Sequence, residues 1–284
     1  VFCCLLDLRF SLFTESYRMT YRLPTIELSR PLAITESITA TLIWASSFIL
    51  AQVGLEQIGP LTIAGLRYSL AGLLLLPFLF RGRQSARYLS RQQWWRLFWI
   101  GMTAHAIGNG ALFWGLHYLS ATTLTFVSCF LPIPVLLLGI VQLKERPTFL
   151  QIVGLVITLV GSALFFSPGV SSTQWLGIGI ALVGLLSFSY SMVLGRGIAR
   201  DQQTSTLALT ALPLLFGGLP LLSVAIAWEG APQLSPLTWQ VVLALTLFNT
   251  ILAYLLYNHS MQTLTAFETN VFLNLAPIGT AVLA

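Results

Sequence analysis

Short polar breaks cut this chain into nine stretches of about 20 mainly apolar residues, the length at which a helix crosses the hydrocarbon core of a bilayer. They cover approximately 35–55, 60–80, 95–116, 119–142, 149–167, 174–195, 205–227, 237–258 and 265–284. Nothing else limits the fold so severely. Backbone surrounded by lipid has no water to bond, so each segment must satisfy its own N–H and C=O groups, and stretches of this length do so as helices. Only 8% of the 284 residues are charged and 56% are hydrophobic, against about 25% charged in a soluble domain. The expected fold class is therefore all-α, a polytopic transmembrane helix bundle. The breaks, such as Ile58-Gly59-Pro60, Ser167-Pro168-Gly169 and Gly230-Ala231-Pro232, have loop chemistry. No connection is long enough for a soluble domain, so function must sit inside the bundle.

One pattern occurs twice. Leu119-Ser120-Ala121 precedes Pro132, and Leu264-Thr265-Ala266 precedes Pro277 at the same spacing, with 265 − 120, 266 − 121 and 277 − 132 all equal to 145. A repeat of that length built from apolar spans predicts a duplicated bundle. Duplicated bundles whose matching segments carry proline are characteristic of secondary transporters.

Charge sets the expected orientation. Arg18, Arg22 and Arg30 precede the first span, and Arg81, Arg83, Arg87, Arg91 and Arg96 cluster between the second and third. Lys144 and Arg146 follow the fourth, and Arg196 and Arg200 follow the sixth. The alternate loops hold no Lys or Arg, only acids such as Glu56 and Glu229. The positive-inside rule then places the N-terminus in the cytoplasm, and the expected location is the plasma (inner) membrane. Five spans per repeat, an odd number, put the two repeats in opposite orientations, related by a pseudo-two-fold axis in the membrane plane. The expected organisation is an N-terminal cytoplasmic segment (1–33), a first repeat (34–167) and a second, incomplete repeat (174–284). The counterpart of Lys144-Glu145-Arg146 and of the fifth span would lie beyond Ala284, so ten spans are expected, with about nine present in a C-terminally truncated sequence. Residues 1–18, ahead of the first methionine at Met19, read as non-native rather than as a cleavable signal.

The order and spacing of several short segments resemble the EamA-type transporters of the drug/metabolite transporter superfamily. Trp44-Ala45-Ser46-Ser47-Phe48 is similar to that family's Trp-Gly-Ser-Asn-Phe segment in the first span. Pro60-Leu61-Thr62 and Leu66-Arg67-Tyr68 resemble its second span. Tyr118-Leu119-Ser120-Ala121 with Pro132 and Lys144-Glu145-Arg146 resembles the end of the first unit, where the family more often has Gly-Glu-Arg. Thr265-Ala266 and Asn274-Leu275-Ala276-Pro277 resemble the second unit. The resemblance covers residues 34 to 284 and implies a ten-helix carrier, both ends cytoplasmic, that exports or exchanges small metabolites such as amino acids. It names no substrate.

Arg67 is the one basic residue inside a span, and a charge there is costly unless paired or hydrated. It is either an anion-attracting group for a substrate carboxylate or a structural partner of Glu56. Asn270, Asn274 and Pro277 share one helical face, and the 145-residue shift places Thr125, Cys129 and Pro132 on the matching face. Such faces either line a cavity, with prolines that break the helix and free carbonyls, or hold helices together through polar contacts. Trp44 and Tyr254, with Trp114 and Tyr257, are candidate cavity walls or interfacial anchors. His105, which shares a face with Asn109, could relay protons or simply pack. Glu268 is a candidate coupling carboxylate or an interfacial acid. Gly154, Gly161, Gly177, Gly179 and Gly184 are expected to permit close helix approach.

Other chemistries find little support. Cys3, Cys4 and Cys129 make no metal-ligand spacing, so neither metal nor cofactor is expected. There is no GxxxxGK[ST], HExxH or GxSxG, and the three histidines are far apart, so an enzyme is not expected. The net charge of +5 resides in loops, where the arginine cluster reads as a topogenic segment touching anionic lipid, with no role in nucleic-acid binding. Expected partners are a small-molecule substrate and the bilayer, with a homodimer as an option. Asn258-His259-Ser260 matches a glycosylation sequon but falls on the cytoplasmic side. The leading reading is a secondary transporter working by alternating access. The alternative is a membrane sensor that binds a metabolite on the same fold without moving it.

Overall fold

A computed structural model describes residues 28–55, 57–80, 89–115, 117–119, 121–165, 174–232 and 234–275. Every regular element among the described residues is helical. In chain order these are α1 (Arg30–Leu55), α2 (Pro60–Leu79), α3 (Arg91–Gly101), a π-helical segment (Met102–Asn109), α4 (Gly110–Gly115), α5 (Ala121–Ser128) and α6 (Pro132–Leu138). A second π segment (Gly139–Leu143) leads to α7 (Phe149–Phe165), α8 (Trp175–Asp201), α9 (Thr206–Glu229) and α10 (Pro236–Ala244). A third π segment (Leu245–Leu252) then joins α11 (Ala253–Ser260), and α12 (Ala266–Leu273) follows. Four stretches are long and apolar enough to cross a membrane: Pro60–Leu79, Trp175–Asp201, Thr206–Glu229 and Pro236–Ser260.

The starts of these helices are written locally. Ser90, Ser205, Ser235 and Thr265 are N-caps whose hydroxyls accept a backbone N–H three residues on. Ser90 with Gln93, and Thr265 with Glu268, complete reciprocal capping boxes. Pro60, Pro132 and Pro236 stand in the first turn, where the missing N–H costs nothing.

The sequence period of 145 reappears in helix bounds. Arg30 and Trp175 open α1 and α8, Arg91 and Pro236 open α3 and α10, and Ala121 and Ala266 open α5 and α12, each pair 145 residues apart. The helical runs Arg91–Gly115 and Pro236–Ser260 each carry an eight-residue π segment near their middle. The halves also interleave: α1 packs on the α10–α11 run, and α8 packs on the α3–α4 run.

Helix α5 ends at Ser128 and α6 starts at Pro132, yet the carbonyl four residues before the proline is not left unpaired. Leu131 N–H donates to the Ser128 carbonyl (3.0 Å), a tightened turn that closes the gap. A matching pair of bonds precedes both prolines: Phe130 N–H to Val127 C=O (3.1 Å) and Leu275 N–H to Phe272 C=O (2.9 Å). Pro277 itself, Glu56 and the side chain of Thr125 lie outside the described residues.

The tightest seam joins α2 and α9. A Cβ on Gly65 would stand 2.6 Å from Leu222 Cα, and one on Gly218 would stand 2.6 Å from the Ser69 nitrogen. Its neighbour Gly217 faces α3, where a Cβ would meet the Gly101 oxygen at 2.2 Å and His105 Cβ at 2.6 Å. Two consecutive glycines thus let α9 press on both Tyr68 and His105. Among the five glycines expected to allow close approach, Gly177 and Gly184 do so, against Leu119 and the Gly108 oxygen respectively. Around Gly161 and Gly179 nothing lies within 4 Å of an added Cβ, because their helix faces point out of the bundle. Gly218→Ala is therefore expected to destabilise the protein by about 1–3 kcal/mol through overpacking, with Gly161→Ala neutral. Thermal unfolding of both variants in detergent checks this, and equal stability would contradict the seam.

Each end of the bundle has its own fastening. At one end, the Glu229 carboxylate closes the N-terminus of α2, accepting from Leu61 N–H (3.0 Å), Thr62 N–H (2.8 Å) and the Thr62 hydroxyl (2.6 Å). The positive helix terminus favours an anion there, and Gly59 lacks the Cβ that would collide with it. At the other end lie the three ion pairs found among the described residues. These are Arg30–Glu268, Arg196–Glu145 (2.9 Å) and the His259–Glu36 contact (2.8 Å), which is an ion pair when the imidazole is protonated. Arg196 also donates to the Met261 carbonyl, tying α8 to the end of α11.

Candidate functional site

Four of the residues singled out from sequence converge in one row of aromatic rings crossing both halves. Tyr68 of α2 lies 4.5 Å, centroid to centroid, from His105 in the Met102–Asn109 π segment. His105 lies 5.3 Å from Tyr254 of α11, and Tyr254 lies 5.1 Å from Trp44 of α1. Trp44 in turn meets Tyr257 at 5.3 Å. These separations and tilts are those aromatic pairs favour. The Gly217–Gly218 pair produces the first contact by bringing α2 and α3 together against α9.

Arg67 ends the row. Its guanidinium carbon sits 4.6 Å over the Tyr68 ring, and Nη2 donates to the Tyr68 hydroxyl at 2.6 Å. Arg67 Nε is buried and has no partner, and no carboxylate pairs with Arg67 among the described residues. His105 is buried as well, with an unpartnered Nδ1. The arrangement offers a planar cation for a carboxylate and ring faces for a flat or cationic group.

A cavity of about 40 Å³ opens beside the row, bounded by His105, Ser191, Thr210, Tyr254, Tyr257 and Asn258 among others. It has room for one or two waters and is far below the roughly 300 Å³ of a small-molecule site. Asn258 donates to the Thr210 hydroxyl at 3.0 Å inside this wall, so the amide of the sequon is buried and occupied.

The other candidates lie apart. Asn270 is fully buried, donates to the Met192 sulphur at 3.5 Å and leaves its Oδ1 unpartnered. Met192 is itself a cavity wall, so Asn270 stands one residue behind it. Asn274 caps the end of α12 with a buried, unpartnered Nδ2. Cys129 is a buried free thiol at the α5–α6 break. Glu268 is committed to the N-terminus of α12, to Arg30 and to Gln151 Nε2 (3.1 Å), at the ion-paired end. Trp114 lies at the surface against Trp228, 5.8 Å away.

Sequence reasoning missed Tyr68, Thr210 and Asn249 as site residues. The sequence does carry a signal for Asn249, an amide in the middle of the apolar stretch 237–258. Tyr68 carried none beyond adjacency to Arg67. Arg196 reads from sequence only as a loop charge and Glu145 only as the middle of Lys144-Glu145-Arg146, whereas both are largely buried and paired.

The EamA-like transporter family model matches residues 32–167 and again 170–284. The chain is 28% identical over 239 residues to an S-adenosylmethionine/S-adenosylhomocysteine transporter of Chlamydia muridarum (strain MoPn / Nigg), covering 80% of this chain and 75% of that protein. It is 30% identical over 230 residues to the transporter of the same name in Chlamydia trachomatis serovar L2, covering 76% and 69%. A solved crystal structure superposes with a TM-score of 0.76 over 90% of this chain and 88% of its own, at 20% identity. Similarity extending across both halves makes this chain a multi-pass membrane protein of the EamA-like transporter family.

Proposed function

We propose that the protein is a secondary transporter that exports or exchanges an amino-acid-type metabolite by alternating access. Two inverted repeats on a ten-span plan would rock about the aromatic row, with the N-terminus cytoplasmic. The observation carrying this reading is Arg67: a half-buried guanidinium with a free Nε, held at the end of a ring row to which both halves contribute. A charge within a membrane span needs compensation, and a solute carboxylate supplies it while bound. The rings then receive the remainder of the solute. The names of the Chlamydia relatives make S-adenosylmethionine and S-adenosylhomocysteine the first solutes to try. Each carries an α-carboxylate for Arg67 and an adenine for the rings.

The fastenings at the two ends fit the same scheme. Glu229 closes one end and the Arg196–Glu145 pair the other, with the row between them. Alternating access requires the two closures to open in turn.

Proteoliposomes loaded with mixed amino acids, S-adenosylmethionine and S-adenosylhomocysteine test the reading by mass spectrometry of what leaves. Protein-dependent loss of α-carboxylate compounds is expected. Retention of every one of them by correctly inserted protein would refute this solute class.

A further inference from the structure

Asn249 lies in the Leu245–Leu252 π segment, 2% exposed, and clasps the two halves together at Trp44. Its amide nitrogen donates to the Ile43 carbonyl and to Ser46 Oγ (3.1 Å). In return, the Trp44 indole N–H donates to the Asn249 backbone carbonyl at 2.9 Å. The Ile43 carbonyl can only accept, so the nitrogen must face it and the orientation of the amide is fixed. The Ser46 hydroxyl agrees, because it spends its proton on Ile43 C=O (2.7 Å) and can only accept from Asn249. Asn249 Oδ1 is then left buried with no donor. Buried acceptors without partners are rare and costly, and this one belongs to the residue that anchors Trp44.

We propose that Asn249 Oδ1 is a subsite of its own: it accepts a hydrogen bond from an N–H group of the transported solute held against Trp44. The inference rests on the solute class proposed above and deepens it. The solute must present a nitrogen donor on the side away from its carboxylate-binding end or beside it, as either an aliphatic ammonium or a ring amine. The clasp gives the contact a second consequence. Asn249 belongs to the third span of the second half, and Ile43, Trp44 and Ser46 belong to the first span of the first half. A solute bonded to Asn249 and stacked on Trp44 therefore touches both bodies at once.

The test uses the full chain in proteoliposomes and uptake of radiolabelled S-adenosylhomocysteine. Competitors are unlabelled S-adenosylhomocysteine, its analogue lacking the α-amino group, and its analogue lacking the 6-amino group of the purine. In the wild type, removing one of these two amines is expected to raise the half-inhibitory concentration about tenfold, and which one does so identifies the donor. In Asn249→Leu, similar in size but without an acceptor, that penalty should vanish. Ser46→Ala loosens the clasp but keeps the acceptor, so the penalty should persist there. Analogues that compete as well as the parent in the wild type would overturn the subsite, however the variants fold. A tenfold penalty that survives in Asn249→Leu would overturn it too. Wild-type liposomes that take up no S-adenosylhomocysteine at all would instead overturn the solute reading beneath it.

Discussion

Arg67→Ala is expected to lower transport of a carboxylate-bearing solute by about a hundredfold or more, while the protein inserts and folds normally. Truncating one partner of a buried charge-assisted pair typically removes about 2–5 kcal/mol of binding, and about 3 kcal/mol corresponds to that factor. The guanidinium's hydrogen bond and ring contact are both to its own helix neighbour Tyr68, so truncating it unties no other helix through them. Arg67→Lys keeps the charge but not the planar fork, so it should recover only part of the rate. A purely structural arginine would behave in the opposite way, with Arg67→Ala losing stability and solute affinity together. The discriminating measurement pairs initial rates with thermal unfolding of both variants, and repeats the rates with a decarboxylated analogue. The analogue should be equally poor with Arg67→Ala and with the wild type.

The second large effect is expected at Arg196. Its side chain is 8% exposed, donates to Glu145 at 2.9 Å and also holds the Met261 carbonyl. Removing one member of a buried pair strands the other, at a cost of about 3–5 kcal/mol. Glu145 is poorly placed to escape, since its second oxygen is buried without a partner. Arg196→Ala should therefore unfold at a temperature lower by on the order of 10 °C. The double variant Arg196→Met/Glu145→Leu should recover most of that loss, because replacing both charges with apolar groups of similar size removes the desolvation penalty as well. Failure of the double variant to recover would mean the pair is not the fastening of this end. The same comparison bears on transport. If this closure opens during the cycle, the double variant should be stable yet slow or leaky, since one closed state is no longer ion-paired.

Much of this architecture is legible in the residues, and the limits have physical causes. The 145-residue period is a statement about order along the chain, so it survives into helix starts such as Arg91 and Pro236. Pro132 breaks its helix for a local reason, its missing N–H. The capping box of Thr265 and Glu268 is equally local and accounts for Glu268 without invoking coupling. The π segments leave no such trace, because eight residues of wider turn do not alter an apolar pattern. Yet their carbonyls take side-chain donors from the opposite half, from Ser187 to Thr103 and from Trp44 to Asn249. The convergence of Arg67, His105, Tyr254 and Trp44 depends on the Gly217–Gly218 seam and on interleaving of the halves, which no single segment encodes. Asn270 and Cys129 show the converse. They lie on the faces that the 145-residue repeat matches and both are buried, but burial on a matching face does not by itself bring a side chain to the cavity.

A solute bound at this row and carried across the bilayer should show trans-stimulated exchange. Proteoliposomes are preloaded with unlabelled S-adenosylhomocysteine or left empty, and entry of the radiolabelled compound is followed with wild-type and Arg67→Ala protein. Wild-type vesicles that are preloaded should show transient accumulation well above empty ones, and Arg67→Ala vesicles should show almost none. Saturable binding without any protein-dependent movement across the bilayer would contradict a carrier and leave a sensor on a transporter's fold.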